Sequence, residues 1–134
     1  MKKTVLLYAF IISLFSLTSL TSCSDDDNQP SNCFADNITL TQTKVNDLSG
    51  SSDAVIITFD AKNTSSSKYD ISSGSAAIYV TVTVTTTDNS TYETTQPLTV
   101  TSLSPGATAS TDVLANYGSG KTYKSYKIDK KYCQ

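Results

Sequence analysis

The run from Ile78 to Thr85 limits the fold more than any other part of the chain. Ile78, Val80, Val82 and Val84 alternate there with Tyr79, Thr81, Thr83 and Thr85. A period of two written in β-branched residues fits a strand with one buried and one wet face. Neighbouring segments repeat the pattern. Val55, Ile57, Phe59 and Ala61 share one face, and Thr58, Asp60 and Lys62 the other. Asp88-Asn89-Ser90 supplies turn chemistry and Thr91 to Gln96 returns, so 76–96 reads as a hairpin. Leu98 and Val100 continue an apolar face after Pro97, which marks an edge strand or a bulge. Ser104-Pro105-Gly106 is a turn, followed by a strand with Ala107, Ala109, Thr111 and Val113 on one face. Asn116 to Gly120 is the next turn. The last strand runs from about 122 to 132, with Tyr126 and Ile128 as its inward pair, and an opening strand near 37–45 carries Ile38 and Leu40. The expected fold is all-β, an antiparallel β-sandwich of six or seven strands. Ser and Thr make up 42 of the 134 residues, and wet strand faces accommodate many of them.

The first 22 residues read as an address rather than as structure. Lys2 and Lys3 precede an apolar stretch from Val5 to Leu17, and small and polar residues follow as far as Cys23. This is the layout of a cleaved secretory signal peptide. The apolar stretch is shorter than the roughly 20 residues that span a bilayer. Leu20-Thr21-Ser22-Cys23 resembles the lipobox of bacterial lipoproteins. The resemblance implies lipidation of Cys23, cleavage before it, and stable membrane anchoring through several acyl chains. Residues 23–32 form a short acidic tether, and 33–134 form the folded domain. Ser24-Asp25-Asp26-Asp27 resembles the export signal of some Gram-negative surface lipoproteins. It implies the outer membrane, with the surface as the expected face and the periplasm as the alternative.

With Cys23 lipidated, Cys33 and Cys133 are left as an even pair in an exported protein, which reads as a disulfide, with two free thiols or an intermolecular bond as the alternatives. That bridge would bring the first and last strands together. Two Cys without His give too few ligands for a metal site. The chain has no His at all, which removes imidazole-based nucleophile systems and zinc sites. All its basic residues are Lys, so there is no guanidinium clamp for phosphate. The net charge of -2 argues against nucleic acid as a partner. No cofactor is expected.

A rhythm recurs along the domain: Lys62-Asn63-Thr64-Ser65-Ser66 after one strand, a long Thr/Val hairpin, Leu103-Ser104-Pro105-Gly106-Ala107-Thr108, and Tyr123 to Ile128. Over roughly 37–130 it resembles the small bacterial immunoglobulin-like domains of the FxLYD type. The Phe-x-Leu-Tyr-Asp run itself is not in the chain. The resemblance implies an immunoglobulin-like accessory or interaction module and carries over no functional residues.

Several spellings imitate catalytic motifs. Ala115 to Thr122 fits a relaxed P-loop, but a strand rather than a helix is expected after it. A Gly-rich hairpin loop accounts for it. Ser65 and Lys68 have the spacing of a penicillin-binding nucleophile pair inside a polar, Ser-rich loop. Asn63-Thr64-Ser65 is one of three glycosylation sequons that composition alone explains. Lys121, Lys124, Lys127, Lys130 and Lys131 cluster near the C-terminus. Strict alternation puts Lys121, Lys127 and Lys131 on one face and Lys124 and Lys130 on the other. Protection of an edge strand explains them better than an anionic-ligand patch. Tyr supplies the candidate binding residues: Tyr79 is phased outward, while Tyr69 and Tyr117 fall in loops where an exposed ring can stack on a sugar.

The expected function is a non-enzymatic, lipid-anchored binding or adhesion module acting through its loops. Its partners would be the membrane and a protein or glycan ligand. A glycan-binding accessory protein and a structural subunit of a surface assembly are the alternatives. A glycosidase would need two converging carboxylates, and the chain has a single Glu, Glu93.

Overall fold

The computed structural model describes residues 30–134, so the signal-like segment and Cys23 lie outside the described residues. The alternating segments become strands: β1 (Ile38–Asp47), β2 (Ala54–Asn63), β3 (Tyr69–Asp70), β4 (Ile78–Thr86), β5 (Thr91–Pro97), β6 (Ser102–Leu103), β7 (Thr108–Asn116) and β8 (Tyr123–Cys133). All pairings are antiparallel. Among the described residues helix is limited to two single 3-10 turns, Ala35–Asn37 and Ile71–Ser73.

The strands make one sheet in the order β1-β2-β7, a second in the order β5-β4-β8, and a short β3-β6 ladder. The phased residues explain why. Val55, Ile57, Phe59 and Ala61 on β2, Ile78, Val80, Val82 and Val84 on β4, and Val113 and Ala115 on β7 are all buried in one apolar cluster. Central strands β2 and β4 carry the longest apolar faces, as strands with neighbours on both sides should. Phe59 meets Tyr126 of β8 edge-on across the core, with ring centroids 6.1 Å apart. The edges of the two sheets are also tied. Tyr126 Oη donates to Gln42 Oε1 on β1 at 2.5 Å, and Gln96 Nε2 on β5 donates to the Asp112 carbonyl of β7 at 3.0 Å.

Cys33 and Cys133 are bonded, with Cα atoms 5.5 Å apart. Pro97 ends β5, an edge strand, where its missing N–H costs no ladder bond. Asn63 at the end of β2 is fully buried and satisfied. Its Nδ2 donates to the Ser67 and Leu103 carbonyls at 2.8 and 3.0 Å, and its Oδ1 accepts from the Ser65 N–H and hydroxyl. The Asn-Thr-Ser run is therefore a structural corner that binds β2 to β6.

Three expectations are corrected. The Gly-rich segment after β7 is not a hairpin loop, because β7 and β8 belong to different sheets and the loop crosses between them. Gly118 in that loop has φ +86, and a Cβ there would stand 2.8 Å from Tyr92 Oη, so Gly lets the crossing close onto β5. Second, Ile128 faces inward opposite Val82 but stays 39% exposed rather than buried, because β8 is an edge strand. Third, β8 does not alternate strictly. Val82 pairs with Ile128 and Thr81 with Lys130, so Asp129 is an extra residue that bulges the strand. The bulge puts Lys127 and Lys130 on one face, opposite Thr83 and Thr81, and turns Lys131 to the other, opposite Val80.

Candidate functional site

Tyr69 and Tyr117 are not exposed, so neither offers a ring to a ligand. Tyr69 is 1% exposed and packs against Phe34, with centroids 5.7 Å apart. Tyr117 is fully buried, and its hydroxyl donates to Asp47 Oδ1 at 2.5 Å. Tyr69 lies on the short strand β3 and Tyr117 directly follows β7, and both rings turn into the apolar core. Burial first, and then the bond to Asp47, push the Tyr117 hydroxyl pKa up to about 12. The folded state thus binds this proton more tightly than the unfolded chain, where Tyr titrates near 10. The stability it confers is complete below pH 10 and is lost as pH rises towards 12. Melting curves between pH 9 and 12 should show a steep decline for the wild type. Tyr117→Phe should be less stable at pH 8 by roughly 1.5–3 kcal/mol, the worth of a bond to a carboxylate. It should also show a shallower alkaline decline. An equally steep decline in the variant would contradict this account.

The other imitated motifs dissolve into local bonding. Ser65 Oγ is held by Asn63 Oδ1 and the Ser67 carbonyl, both at 2.8 Å, while Lys68 Nζ sits 2.6 Å from Asp70 Oδ2. Asn63 spends its side-chain amide on protein carbonyls, so its sequon is closed. Among the described residues no group of three or more His, Cys, Asp or Glu side chains could hold a metal ion.

The C-terminal lysines are dispersed. Lys121 pairs with Asp88 at 2.5 Å and Lys124 donates to Asn89 Oδ1 at 2.8 Å, so both clamp the β4–β5 turn. The Lys121 ammonium first, and then the Thr86 hydroxyl, hold the Asp88 carboxyl well below the usual range. Lys127 pairs with Asp129 at the bulge. Lys131 reaches the Ile38 carbonyl on β1, and burial lowers its pKa while Asp36 opposes the fall. An inward-turned Lys on an edge strand obstructs pairing with a foreign strand.

What remains is the outer face of the β5-β4-β8 sheet. The two registers set its residues in rows across the strands. Pro97, Tyr79 and Tyr132 form the first row, then Thr95, Thr81 and Lys130, then Glu93, Thr83 and Lys127. Tyr79 and Tyr132 are half-buried, with centroids 5.9 Å apart and ring planes 27° from parallel. That separation is wider than face-to-face ring contact, so the rings are offset sideways and together present a broader apolar surface. Lys130 Nζ lies 4.7 Å from the Tyr132 centroid. Thr81 and Thr95 share a hydroxyl bond of 2.8 Å, and Thr83 donates to Asp129.

Of the three tyrosines singled out by sequence only Tyr79 belongs to this face, beside Lys127 and Lys130 of the C-terminal cluster. Tyr132 was missed because strict alternation from Tyr126 and Ile128 turns it inward, whereas the Asp129 bulge turns it out. Glu93 and Asp129 both neighbour Thr83, but Lys127 and then Thr83 lower the Asp129 pKa, the reverse of what a general acid needs. Compared with known proteins, the chain matches no family model, no curated protein and no solved structure.

Proposed function

We propose that the protein is a lipid-anchored envelope lipoprotein whose immunoglobulin-like domain serves as a non-enzymatic binding module. The observation that carries the binding reading is the half-exposed Pro97–Tyr79–Tyr132 row on an otherwise polar sheet face. Rigid, half-exposed Tyr gives contact area at low entropic cost. The binding surface is thus a sheet face, since Tyr69 and Tyr117 are committed to the core.

Strand order supports the immunoglobulin-like assignment. The arrangement β1-β2-β7 against β5-β4-β8 has the pattern of strands A, B and E facing C′, C and F in that fold. The anchor reading rests on Leu20-Thr21-Ser22-Cys23. Among the described residues no helix is long and apolar enough to cross a membrane.

Metabolic labelling with a clickable fatty acid tests the anchor. Label should appear in the wild type and vanish in Cys23→Ala, and label that persists in the variant would refute lipidation. Protease shaving of intact cells decides the membrane face, with digestion expected for an outer-surface protein. Capture of native envelope components, weakened by Tyr79→Ala, tests the binding face.

A further inference from the structure

We infer that the outer face of the β5-β4-β8 sheet takes an uncharged polysaccharide. This deepens the binding reading above and depends on it. The face is open and built from three strands, so it suits an extended chain better than a small molecule, which needs an enclosing pocket. Neighbouring strands lie about 4.8 Å apart and alternate residues on one strand about 7 Å apart, the scale of one pyranose ring. A sugar ring against Tyr79 and Tyr132 would bury its apolar C–H groups. Its hydroxyls would then meet the adjacent rows, where Thr95 offers a hydroxyl, Glu93 acceptors and Lys127 donors. Sugar hydroxyls need donors and acceptors together, and these rows supply both.

Charge selects among polymers. The face carries Lys127 and Lys130 against Glu93 and Asp129, and Lys127 is paired to Asp129. Two ammonium groups balanced by two carboxylates give no net field to concentrate a polyanion. The rows beside the tyrosines are mixed polar, with Thr95, Thr81 and Lys130 in the first and Glu93, Thr83 and Lys127 in the second, which suits a hydroxyl-rich chain.

The test is retention of the full-length protein, purified in detergent, on immobilised neutral polysaccharides (a β-glucan, a mannan and a xylan) and on polygalacturonate. Binding to at least one neutral polymer, unchanged by 0.5 M salt, is expected. It should weaken at least tenfold in Tyr79→Ala and in Tyr132→Ala. Both side chains lie on the outer face, and circular dichroism checks that the variants remain folded. Binding to polygalacturonate alone, lost in salt, would overturn the inference, as would retention on none of the four. A parallel experiment uses native envelope fractions treated with periodate or with proteinase K. Capture that survives proteinase and is lost with periodate is expected. Capture that needs Tyr79 and Tyr132 but is lost with proteinase overturns the glycan and leaves the binding face standing. Capture indifferent to both Tyr variants overturns both.

Discussion

Removing the Cys33–Cys133 bond should lower the melting temperature of the domain by on the order of 20 °C. The bond joins residues 100 apart in sequence, nearly the full span of the described chain. A loop of about this size loses up to roughly 4.7 kcal/mol of unfolded-state entropy when closed. For a domain of this size each kcal/mol is worth about 4–8 °C. The double variant Cys33→Ser/Cys133→Ala leaves no unpaired thiol in the folded domain and is the variant to measure. Wild type melted under reducing conditions should coincide with it. A shift below about 5 °C would mean that the ends of the chain are held together without the bond.

Phe59→Ala should be the most damaging single change within the sheets, at about 3–5 kcal/mol. Phe59 is 1% exposed on the central strand β2, and its ring meets Tyr126 of the opposite sheet. Truncation leaves a cavity where the two sheets touch and strips Tyr126 of its edge-on partner. By contrast, Leu114→Ala should cost within about 0.5 kcal/mol, because Leu114 is 47% exposed. Denaturant unfolding of both variants measures the difference. Similar costs for the two would show that Phe59 does not bridge the sheets.

Strand existence and phase were legible in the sequence, because β-branched alternation is a local signal. Val55 to Ala61 and Ile78 to Val84 point as their pattern requires, and β1, β5 and β7 fall where turns bracket them. Three features were not legible, each for a physical reason. β3 and β6 are two residues long and pair across a wide sequence gap, so no periodicity marks them. The fate of Tyr117 depends on Asp47, which precedes it by 70 residues. The bulge at Asp129 has no local signature, yet one inserted residue reverses the face of everything after it. That single residue moved Lys131 inward and Tyr132 outward. The candidate face was therefore half legible: Tyr79 could be read from its own strand, and its partner could not.

The position of the disulfide has a mechanical consequence. A pull applied between the chain ahead of Cys33 and the C-terminal Gln134 runs directly from Cys33 to Cys133. The strands between them lie off that line of force, so tension along this axis would load the disulfide and not peel the sheets apart. Under such a load the Tyr79–Tyr132 face would keep its shape.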